Sequence, residues 1–312
     1  MKYKEQLEYF LLNPGRFSIL IIGERGVGKT QLIQELSEGK EKVIVANCAS
    51  FSDDTMAESE LFGHKKGAFT GANENKKGLF EEANEGVLFL DEVHNLSKRV
   101  QEKLMTALQT ESSGKNKGKF SIRRLGETTS HHVAVRPVFA SNLVIEELKK
   151  KLLPDLYDRI SQLVIEIPSI QESKLNLKDE FYTVWNRMLF EDENNVPQLK
   201  FFYTWLNKIK LDGNYRTLQS IAINWHQGRL MKLENEEIVF EFVKTQIQKF
   251  HSSTMLVNKN IKYNFRKGSK KKDMEKEYRK ALYVWAKENY LGLTDKEIAN
   301  ELAISRLDML LK

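Results

Sequence analysis

The segment that most constrains the fold is an apolar run that leads directly into a glycine-rich loop. Phe17 to Ile22 reads FSILII, and Gly23 to Thr30 reads GERGVGKT. A continuous apolar run bounded by turn residues is typical of a parallel strand that is buried on both faces. The loop fits the spacing G-x-x-x-x-G-K-[ST], and Leu32, Ile33 and Leu36 then follow helical spacing. Strand, loop and helix in this order predict a P-loop in an α/β domain with a parallel sheet.

The residues of this loop have the chemistry of a phosphate site. Its glycines let backbone N–H groups converge on phosphate oxygens, and the start of the following helix adds partial positive charge. Lys29 is expected to reach the β- and γ-phosphates, and Thr30 to offer its hydroxyl to Mg²⁺. A glycine-rich turn with an incidental lysine is the alternative, which the flanking strand and helix disfavour. The glycines concerned are Gly23, Gly26 and Gly28.

A second apolar run ends in two carboxylates. Val87 to Leu90 (VLFL) is followed directly by Asp91 and Glu92. Open α/β sheets bind ligands at the carboxyl ends of their strands, which is where these two side chains are predicted to lie. Asp91 is expected to hold Mg²⁺, directly or through water, and Glu92 to polarise the attacking water. A solvated acidic pair at a strand end is the alternative, which the upstream P-loop disfavours.

Between these motifs lies a loop of small residues with one aromatic at its centre. Residues 58–72 read ESELFGHKKGAFTGA. Glycines at positions 67 and 71 permit φ > 0 and a tight turn, which would place Phe69 and Thr70 on an exposed tip. An aromatic on such a tip is available to a partner molecule. An ordinary turn whose Phe69 folds back inside is the alternative.

The string ELFGHKKGAFTGA resembles the signature of the bacterial enhancer-binding proteins, AAA+ ATPases that activate RNA polymerase carrying sigma-54. The resemblance extends over about Gly23 to Leu218. It implies a three-layer αβα AAA+ P-loop NTPase domain with a parallel sheet, ATP and Mg²⁺ as cofactors, and a homo-oligomeric ring, expected to be hexameric, with ATPase sites between subunits. The residues that it implies for sigma-54 contact are Gly67, Ala68, Phe69, Thr70, Gly71 and Ala72.

The same resemblance assigns roles to two asparagines at strand ends. Asn47 follows the predicted strand 42–46 and matches a family residue that contacts the catalytic glutamate and switches it with nucleotide state. A strand-end asparagine that caps a turn is the alternative. Asn142 follows the predicted strand 133–140 and matches a polar sensor that faces the γ-phosphate.

Two arginines also match family positions. Arg159 matches an arginine finger that acts on the neighbouring subunit, with a local ion pair to Asp155 as the alternative. Leu153 stands where the family has a second finger, which concentrates this role on Arg159. Arg216 lies in the segment LDGNYRTL and matches a sensor that reaches the nucleotide from the lid. Thr30 is a further departure, because the family usually has Glu there.

The remaining loops and the C-terminal part predict peripheral features. Residues 109–119 are polar, glycine-containing and basic, which predicts an exposed loop or hairpin tip, and the histidine pair at 131–132 is expected at the surface. Residues 293–312 resemble a helix-turn-helix in which Ser305 caps the second helix and Arg306 faces the DNA groove. A plain helical hairpin is the alternative.

Composition and order give the predicted domain organisation. The expected parts are an α/β ATPase subdomain at 1–168, an all-α lid at 169–250, a basic linker at 251–280 and a C-terminal helix-turn-helix DNA-binding tail at 281–312. From the short lead before the P-loop, no sensory domain is expected. The single cysteine and the lack of a signal peptide or membrane-spanning run predict a bacterial cytoplasmic protein without a membrane partner. A net charge of +6 permits a nucleic-acid partner.

Together these features predict an ATP-hydrolysing activator that remodels closed complexes of sigma-54 and RNA polymerase, bound to double-stranded DNA upstream of promoters. Two alternatives come from other classes. One is an AAA+ remodeller or loader of another protein or DNA target, and the other is a DNA-binding repressor that uses nucleotide only as a switch. The six-residue loop disfavours the first, and the intact Glu92 disfavours the second.

Overall fold

The computed structural model describes residues 2–12, 17–38, 42–188, 196–231 and 235–250. The chain divides into two compact units. Among the described residues, unit 1 comprises those within 2–175 and 211–218, and unit 2 comprises those within 176–210 and 219–250. The predicted linker and DNA-binding tail, with Ser305 and Arg306, lie outside the described residues.

Unit 1 contains both strands and helices, whereas the elements of unit 2 are helices. The strands are β1 Ile19–Ile22, β2 Val43–Asn47, β3 Gly63–His64, β4 Lys76–Lys77, β5 Val87–Asp91, β6 Phe120–Ile122, β7 His131–Val133, β8 Arg136–Ser141 and β9 Leu163–Glu166. The α-helices are α1 Lys2–Leu12, α2 Lys29–Ser37, α3 Asp54–Phe62, α4 Leu79–Glu82, α5 Lys98–Ala107, α6 Ile145–Lys151, α7 Pro154–Ile160, α8 Leu177–Arg187, α9 Lys200–Leu206, α10 Tyr215–Leu230 and α11 Glu236–Phe250.

A parallel five-stranded sheet in the order β2-β5-β8-β1-β9 forms the centre of unit 1. It confirms the predicted α/β class with a parallel sheet. Each of the four strands predicted above is present, and the largest shift is at β8, which begins at Arg136 rather than Val133. The reason is that His131–Val133 pairs instead with β6 in a separate antiparallel ribbon.

Alternate side chains of the sheet pack against helices on both faces. Leu20, Leu88 and Phe139 share one buried cluster with residues of α3, α5 and α7. Ile21 and Phe89 share the other with residues of α1 and α2. Each such side chain contributes roughly 1.5–3 kcal/mol when it is fully buried. Burial on both faces explains why the strands read as continuous apolar runs.

The register of the sheet brings separate motifs to one edge. Ile22 of β1 pairs with Ser141 of β8, and Asn47 of β2 pairs with Asp91 of β5. Because all five strands run parallel, the residues that follow their carboxyl ends lie along the same edge. The P-loop, Glu92 and the segment after β8 are therefore neighbours.

Unit 2 is helical and has an aromatic core. Phe202 of α9 contacts Phe181 of α8, Trp225 of α10 and Phe240 of α11, with ring centroids 5.2, 5.2 and 5.9 Å apart. Aromatic stripes at helical spacing thus serve packing, as expected for such patterns. Among the described residues, no helix has the length and apolar character that a membrane crossing requires.

Candidate active site

The P-loop connects β1 to α2 and surrounds a buried lysine. Gly26 and Gly28 have φ of 76° and 88°, which side chains other than glycine rarely adopt. Lys29 is 6% exposed, and its Nζ donates to the carbonyl oxygens of Gly23 at 2.7 Å and Glu24 at 3.2 Å. Burial lowers the pKa of Lys29, opposed by the negative charges of Asp91 and Glu92. The loop thus holds a cation among backbone groups beside two carboxylates.

Position 26 also requires glycine because the backbone at Gly213 approaches it closely. A Cβ at Gly26 would lie 2.1 Å from the carbonyl oxygen of Gly213 and 3.2 Å from Cγ of Arg216. The N–H of Tyr215 donates to the carbonyl of Gly26 at 3.0 Å. Arg216, the predicted sensor, therefore lies beside the P-loop, and its charge is among those that lower the pKa of Lys29.

Asn214 fixes this approach, a role that the sequence did not reveal. Its side chain is fully buried, its φ is 50°, and its Nδ2 donates to Glu24 Oε2 and to the carbonyl of Arg25, both at 3.0 Å. Its Oδ1 accepts from the N–H of Ile170 at 2.8 Å. Only the motif G-N-x-R gave a signal for this residue, and the motif does not say what the amide contacts.

Thr30 and Asp91 meet across the edge of the sheet. Thr30 Oγ1 donates to Asp91 Oδ2 at 3.3 Å. A hydroxyl and a carboxylate are the hard oxygen ligands that Mg²⁺ prefers, and Mg²⁺ is commonly held by one or two such groups together with substrate phosphates. The donor set of this edge therefore fits the predicted magnesium site.

Glu92 follows β5 in a left-handed turn that directs its side chain along the sheet edge. Its φ is 55°, and its backbone N–H donates to Asp91 Oδ1 at 2.9 Å. Asn142 Nδ2, directly after β8, donates to Glu92 Oε1 at 2.9 Å. The predicted sensor and the predicted general base are therefore in direct contact.

Asn47 lies nearby but makes a different contact. Its Oδ1 accepts from the N–H of Ala49 at 2.9 Å and so caps the short 3₁₀-helix Cys48–Ser50. This is the turn-capping geometry that the sequence left open as the alternative for Asn47. The amide that contacts Glu92 is that of Asn142. A nucleotide-dependent switch at Asn47 stays a prediction.

His94 and Ser141 belong to this site, although sequence reasoning gave them no role in it. His94 Nε2 lies 3.3 Å from Glu92 Oε2, and His94 Nδ1 lies 2.9 Å from Ser141 Oγ. The signal that could have found His94 is its position two residues after the predicted base. Only the turn at Glu92 shows that the two side chains approach each other.

A cleft of 520 Å³ opens at the carboxyl ends of β1, β8 and β9. It is bordered by Gly23, Glu24 and Asn142, whereas Lys29 and Asp91 are not among its lining residues. The cleft therefore adjoins the P-loop but does not contain Lys29 and Asp91. The candidate nucleotide site is located by the geometry of the P-loop instead.

Arg159 lies on α7, away from these residues. Its Nη1 donates to the carbonyl of Met105 near the end of α5 at 2.8 Å, and the side chain is half-buried. Leu153, the residue just before α7, packs against the apolar cluster, and its N–H donates to Gln101 Oε1 at 2.8 Å. Leu153 thus has a packing role, as expected for a leucine at the position where the family has a second arginine finger.

The loop of residues 67–72 is a closed turn on unit 1. The N–H of Gly67 donates to the carbonyl of Ala72 at 2.8 Å, and φ of Gly67 and Gly71 is 83° and 100°. No heavy atom lies within 4 Å of the place where a Cβ on either glycine would be. The need for glycine here is conformational, as predicted.

The tip differs from expectation at its aromatic residue. Thr70 is exposed, but Phe69 is only half-exposed, because its ring packs edge-on against His64 with centroids 4.9 Å apart. His64 Nδ1 in turn lies 2.7 Å from Ser59 Oγ on α3. Ala72 is buried and thus helps to shape the loop. The ring of Phe69 packs against His64 at the base of the loop. Its position is therefore intermediate between the two predicted alternatives, an exposed tip and a ring that is folded inside.

Residues 109–119 form the expected exposed loop, stabilised by backbone bonds between Glu111 and Lys119 and between Gly118 and Glu111. His131, expected at the surface, is half-buried instead. Its Nε2 lies 2.9 Å from Glu127 Oε2, and Glu127 also pairs with Lys65 at the base of the 67–72 loop. This contact, which the sequence did not predict, accompanies the partial burial of His131.

Fold and site together define the class of protein: a P-loop ATPase-type domain of the AAA+ class. The solved structure of NtrX from Brucella abortus in complex with ADP matches with a TM-score of 0.66 at 18% identity, and covers 97% of this chain and 65% of that chain. At this level of identity the likeness establishes the fold.

The family follows from the sequence comparisons. The family model described as the Sigma-54 interaction domain matches residues 3–166, and the chain belongs to this family of sigma-54-dependent transcriptional activators. One relative is the anaerobic nitric oxide reductase transcription regulator NorR from Vibrio vulnificus (strain YJ016). It is 40% identical over 161 residues, which cover 50% of this chain and 30% of the relative. The HTH-type transcriptional regulatory protein TyrR from Enterobacter agglomerans is 34% identical over 229 residues, 70% of this chain and 41% of the relative. The chain spans less than half the length of both relatives.

Proposed function

We propose that this chain hydrolyses ATP and uses the cycle to move the 67–72 loop against sigma-54, so that a closed promoter complex is remodelled. The observation that carries the proposal is the combination, within unit 1, of the P-loop and Glu92 with a hydrogen-bonded glycine-flanked loop whose Thr70 is exposed. A nucleotide-binding edge alone would fit many functions. The exposed loop adds a surface that is available to a partner protein.

The chemistry divides among the residues of the sheet edge. Backbone N–H groups of the P-loop bind the phosphates, and Lys29 exchanges its carbonyl acceptors for β- and γ-phosphate oxygens. Thr30 and Asp91 would hold Mg²⁺, which neutralises charge on the phosphates when bound. Glu92 accepts a proton from the attacking water, and Asn142 orients the carboxylate. Arg216 lies beside Gly26, from which it can reach the phosphates.

Two variants test the nucleotide chemistry. Lys29→Ala removes the buried cation of the P-loop, so ATP binding should be lost. Glu92→Gln keeps the shape and removes the base, so the variant should bind ATP and hydrolyse it at least 100-fold more slowly, on the order expected for loss of a general base. Binding is measured with a fluorescent ATP analogue and hydrolysis by phosphate release. Hydrolysis by Glu92→Gln at the parent rate would contradict this assignment.

The partner contact is tested by substitutions in the loop. Thr70→Ala and Phe69→Ala should still hydrolyse ATP, because neither residue contacts the sheet edge, and should lose capture of sigma-54. Thr106→Ala is the matched control, because Thr106 is an exposed threonine on α5 of the same unit. Capture is measured by pull-down with an ATP transition-state mimic, and promoter opening is measured on the same protein batch. Normal capture and opening by both loop variants would favour the general AAA+ remodeller.

The proposal extends to the assembly and to DNA. Hydrolysis is proposed to require a homo-oligomeric ring, expected to be a hexamer, in which Arg159 of one subunit completes the site of its neighbour. The tail at 281–312 is proposed to bind double-stranded DNA, with Ser305 and Arg306 in the second helix of a helix-turn-helix. The relative TyrR is an HTH-type transcriptional regulatory protein, which supports this proposed role.

A further inference from the structure

A histidine two positions after Glu92 faces its carboxylate. Glu92 Oε1 accepts a hydrogen bond from Asn142, whereas Oε2 is buried and accepts no well-aligned hydrogen bond within the described part of the chain. The nearest ring nitrogen is His94 Nε2, 3.3 Å from Oε2. The side chains of His94 and Glu92 are only 11% and 18% exposed. His94 is therefore placed to act on the second oxygen of the carboxylate.

The opposite nitrogen of the ring is held by the sheet. His94 Nδ1 lies 2.9 Å from Ser141 Oγ, and Ser141 is the fully buried last residue of β8. Ser141 Oγ accepts from the N–H of Leu143 at 3.1 Å. Its hydroxyl hydrogen is not used in that bond and can be donated to Nδ1. The end of β8 thus reaches both carboxylate oxygens, one through Asn142 and the other through His94.

Electrostatics selects the tautomer of the ring. Burial lowers the pKa of His94, although the nearby charge of Glu92 raises it, so the ring is neutral at pH 7. A lone pair on Nε2 would be repelled by the carboxylate, whereas an N–H there is attracted to it. Asn95 Nδ2 also lies 3.3 Å from Nε2 and donates one hydrogen to the carbonyl of Glu92 at 3.2 Å, so its second hydrogen finds an acceptor at Nε2 only in the opposite tautomer. The form that can donate to Glu92 carries its hydrogen on Nε2 and accepts from Ser141 at Nδ1.

We propose that His94 is a positioning residue for ATP hydrolysis, held by Ser141 with its Nε2 3.3 Å from Glu92 Oε2. This inference rests on the proposed role of Glu92 as the base. With Asn142 on one oxygen and His94 on the other, the carboxylate keeps one orientation towards the attacking water. A displacement of about 1 Å at such a group can cost on the order of 100-fold in rate.

The test uses three substitutions in the full chain, with kcat and KM for ATP measured separately. His94→Gln places an amide N–H near the Nε2 position and should keep kcat within about threefold of the parent. His94→Asn places its amide near the Nδ1 position, so it can reach Ser141 but not Glu92, and His94→Leu makes neither contact. Both should lower kcat by about 10- to 100-fold while KM changes little, because the contact acts on the base and not on the phosphates.

Three outcomes would overturn the proposal. The first is a kcat like that of the parent in all three variants, and the second is an equal loss of kcat in all three. The third is a kcat that His94→Asn retains and His94→Gln loses, because the contact with Ser141 alone would then account for the role of His94. Circular dichroism and oligomer size confirm folding and assembly of each variant. The parent and Glu92→Gln are assayed in parallel. If the parent hydrolyses ATP and Glu92→Gln does not, the proposed function stands whatever the His94 variants do.

A spectroscopic measurement tests the tautomer without any assay of activity. The chain has six histidines, so the ring ¹⁵N signals of His94 are assigned by their disappearance in His94→Gln. The expected pattern at pH 7.5 is that of a neutral ring protonated at Nε2. Ser141→Ala should shift the population towards the other tautomer, because Nδ1 loses its donor. A parent ring protonated at Nδ1 would contradict the proposed arrangement.

Discussion

Thr30 Oγ1 and Asp91 Oδ2 lie 3.3 Å apart, although 61 positions separate the two residues in the chain. Thr30 is the second residue of α2, and Asp91 is the last residue of β5. The pairing places a hydroxyl and a carboxylate where triphosphate and Mg²⁺ would meet. It also makes Thr30 a direct probe of the metal requirement.

Thr30→Val removes the hydroxyl at nearly constant volume. We expect the Mg²⁺ concentration that gives half-maximal ATPase activity to rise by about 10- to 100-fold, as loss of a bond to a charged group costs roughly 1.5–3 kcal/mol. Thr30→Ser keeps the hydroxyl and serves as the control, with Mg²⁺ dependence close to that of the parent. If the valine variant responded to Mg²⁺ as the parent does, Thr30 would have no place in the metal site.

Arg159→Ala should inactivate a pure population of rings. The bond of Arg159 to the carbonyl of Met105 is worth roughly 1.5–3 kcal/mol at most, whereas an arginine finger is worth about 4–7 kcal/mol, so the side chain can leave the carbonyl for a neighbour's phosphate. Arg159→Ala subunits mixed with Lys29→Ala subunits should regain ATPase activity. Some interfaces in such rings combine an intact P-loop with an intact finger.

The control for this mixture is a chain that carries both substitutions. Mixed with Arg159→Ala subunits, it supplies neither a finger nor a P-loop and should restore nothing. Phosphate release is measured over a range of mixing ratios, with assembly checked by light scattering. Absence of recovery from the single variants in fully assembled rings would count against a finger in trans.

Glu81→Gln should destabilise unit 1. Arg124 donates to both oxygens of Glu81 at 2.7 and 2.6 Å, with both side chains largely buried. Burial raises the pKa of Glu81, but the hydrogen bonds and charge of Arg124 outweigh it, and the pKa is lowered from 4.5. Loss of the Glu81 charge weakens both hydrogen bonds of Arg124, at a cost of about 1–3 kcal/mol.

The lowered pKa fixes the pH dependence of this contribution. Stability from the ionised Glu81 is complete above about pH 4.5 and is lost as the pH falls through the lower folded-state pKa. Urea unfolding of parent and Glu81→Gln should therefore differ at pH 7, and the difference should narrow only in acid. Glu82→Gln is the matched control, because Glu82 is the exposed neighbour on α4. Equal stability of the two variants at pH 7 would show that the ion pair contributes nothing.

Removal of residues 261–312 should weaken DNA binding and leave ATP hydrolysis intact. The segment is rich in lysine and arginine, so we expect binding of the full chain to duplex DNA to fall with salt at a log–log slope of about −0.9 per phosphate contact. Fluorescence anisotropy at several salt concentrations gives the slope for both proteins. Equal affinity of the shortened and full chains would contradict a DNA-binding tail.

Local sequence determined the elements of the sheet edge. FSILII followed by GERGVGKT predicted β1, the P-loop and α2, because apolar runs and glycine spacing are short-range signals. VLFLDE likewise predicted β5 with Asp91 and Glu92 at its end. The glycines at 67 and 71 predicted the tight turn, since positive φ is a property of single residues.

Tertiary structure decided which of these side chains contact one another. The strand order placed the end of β8 beside the end of β5, which brought Asn142 to Glu92 and left Asn47 as a cap. It also placed His94 between Ser141 and Glu92, a contact that depends on the left-handed turn at Glu92. Sequence patterns report periodicity along one segment, whereas these contacts join segments that are distant in the chain. Only the packed sheet fixes their distances.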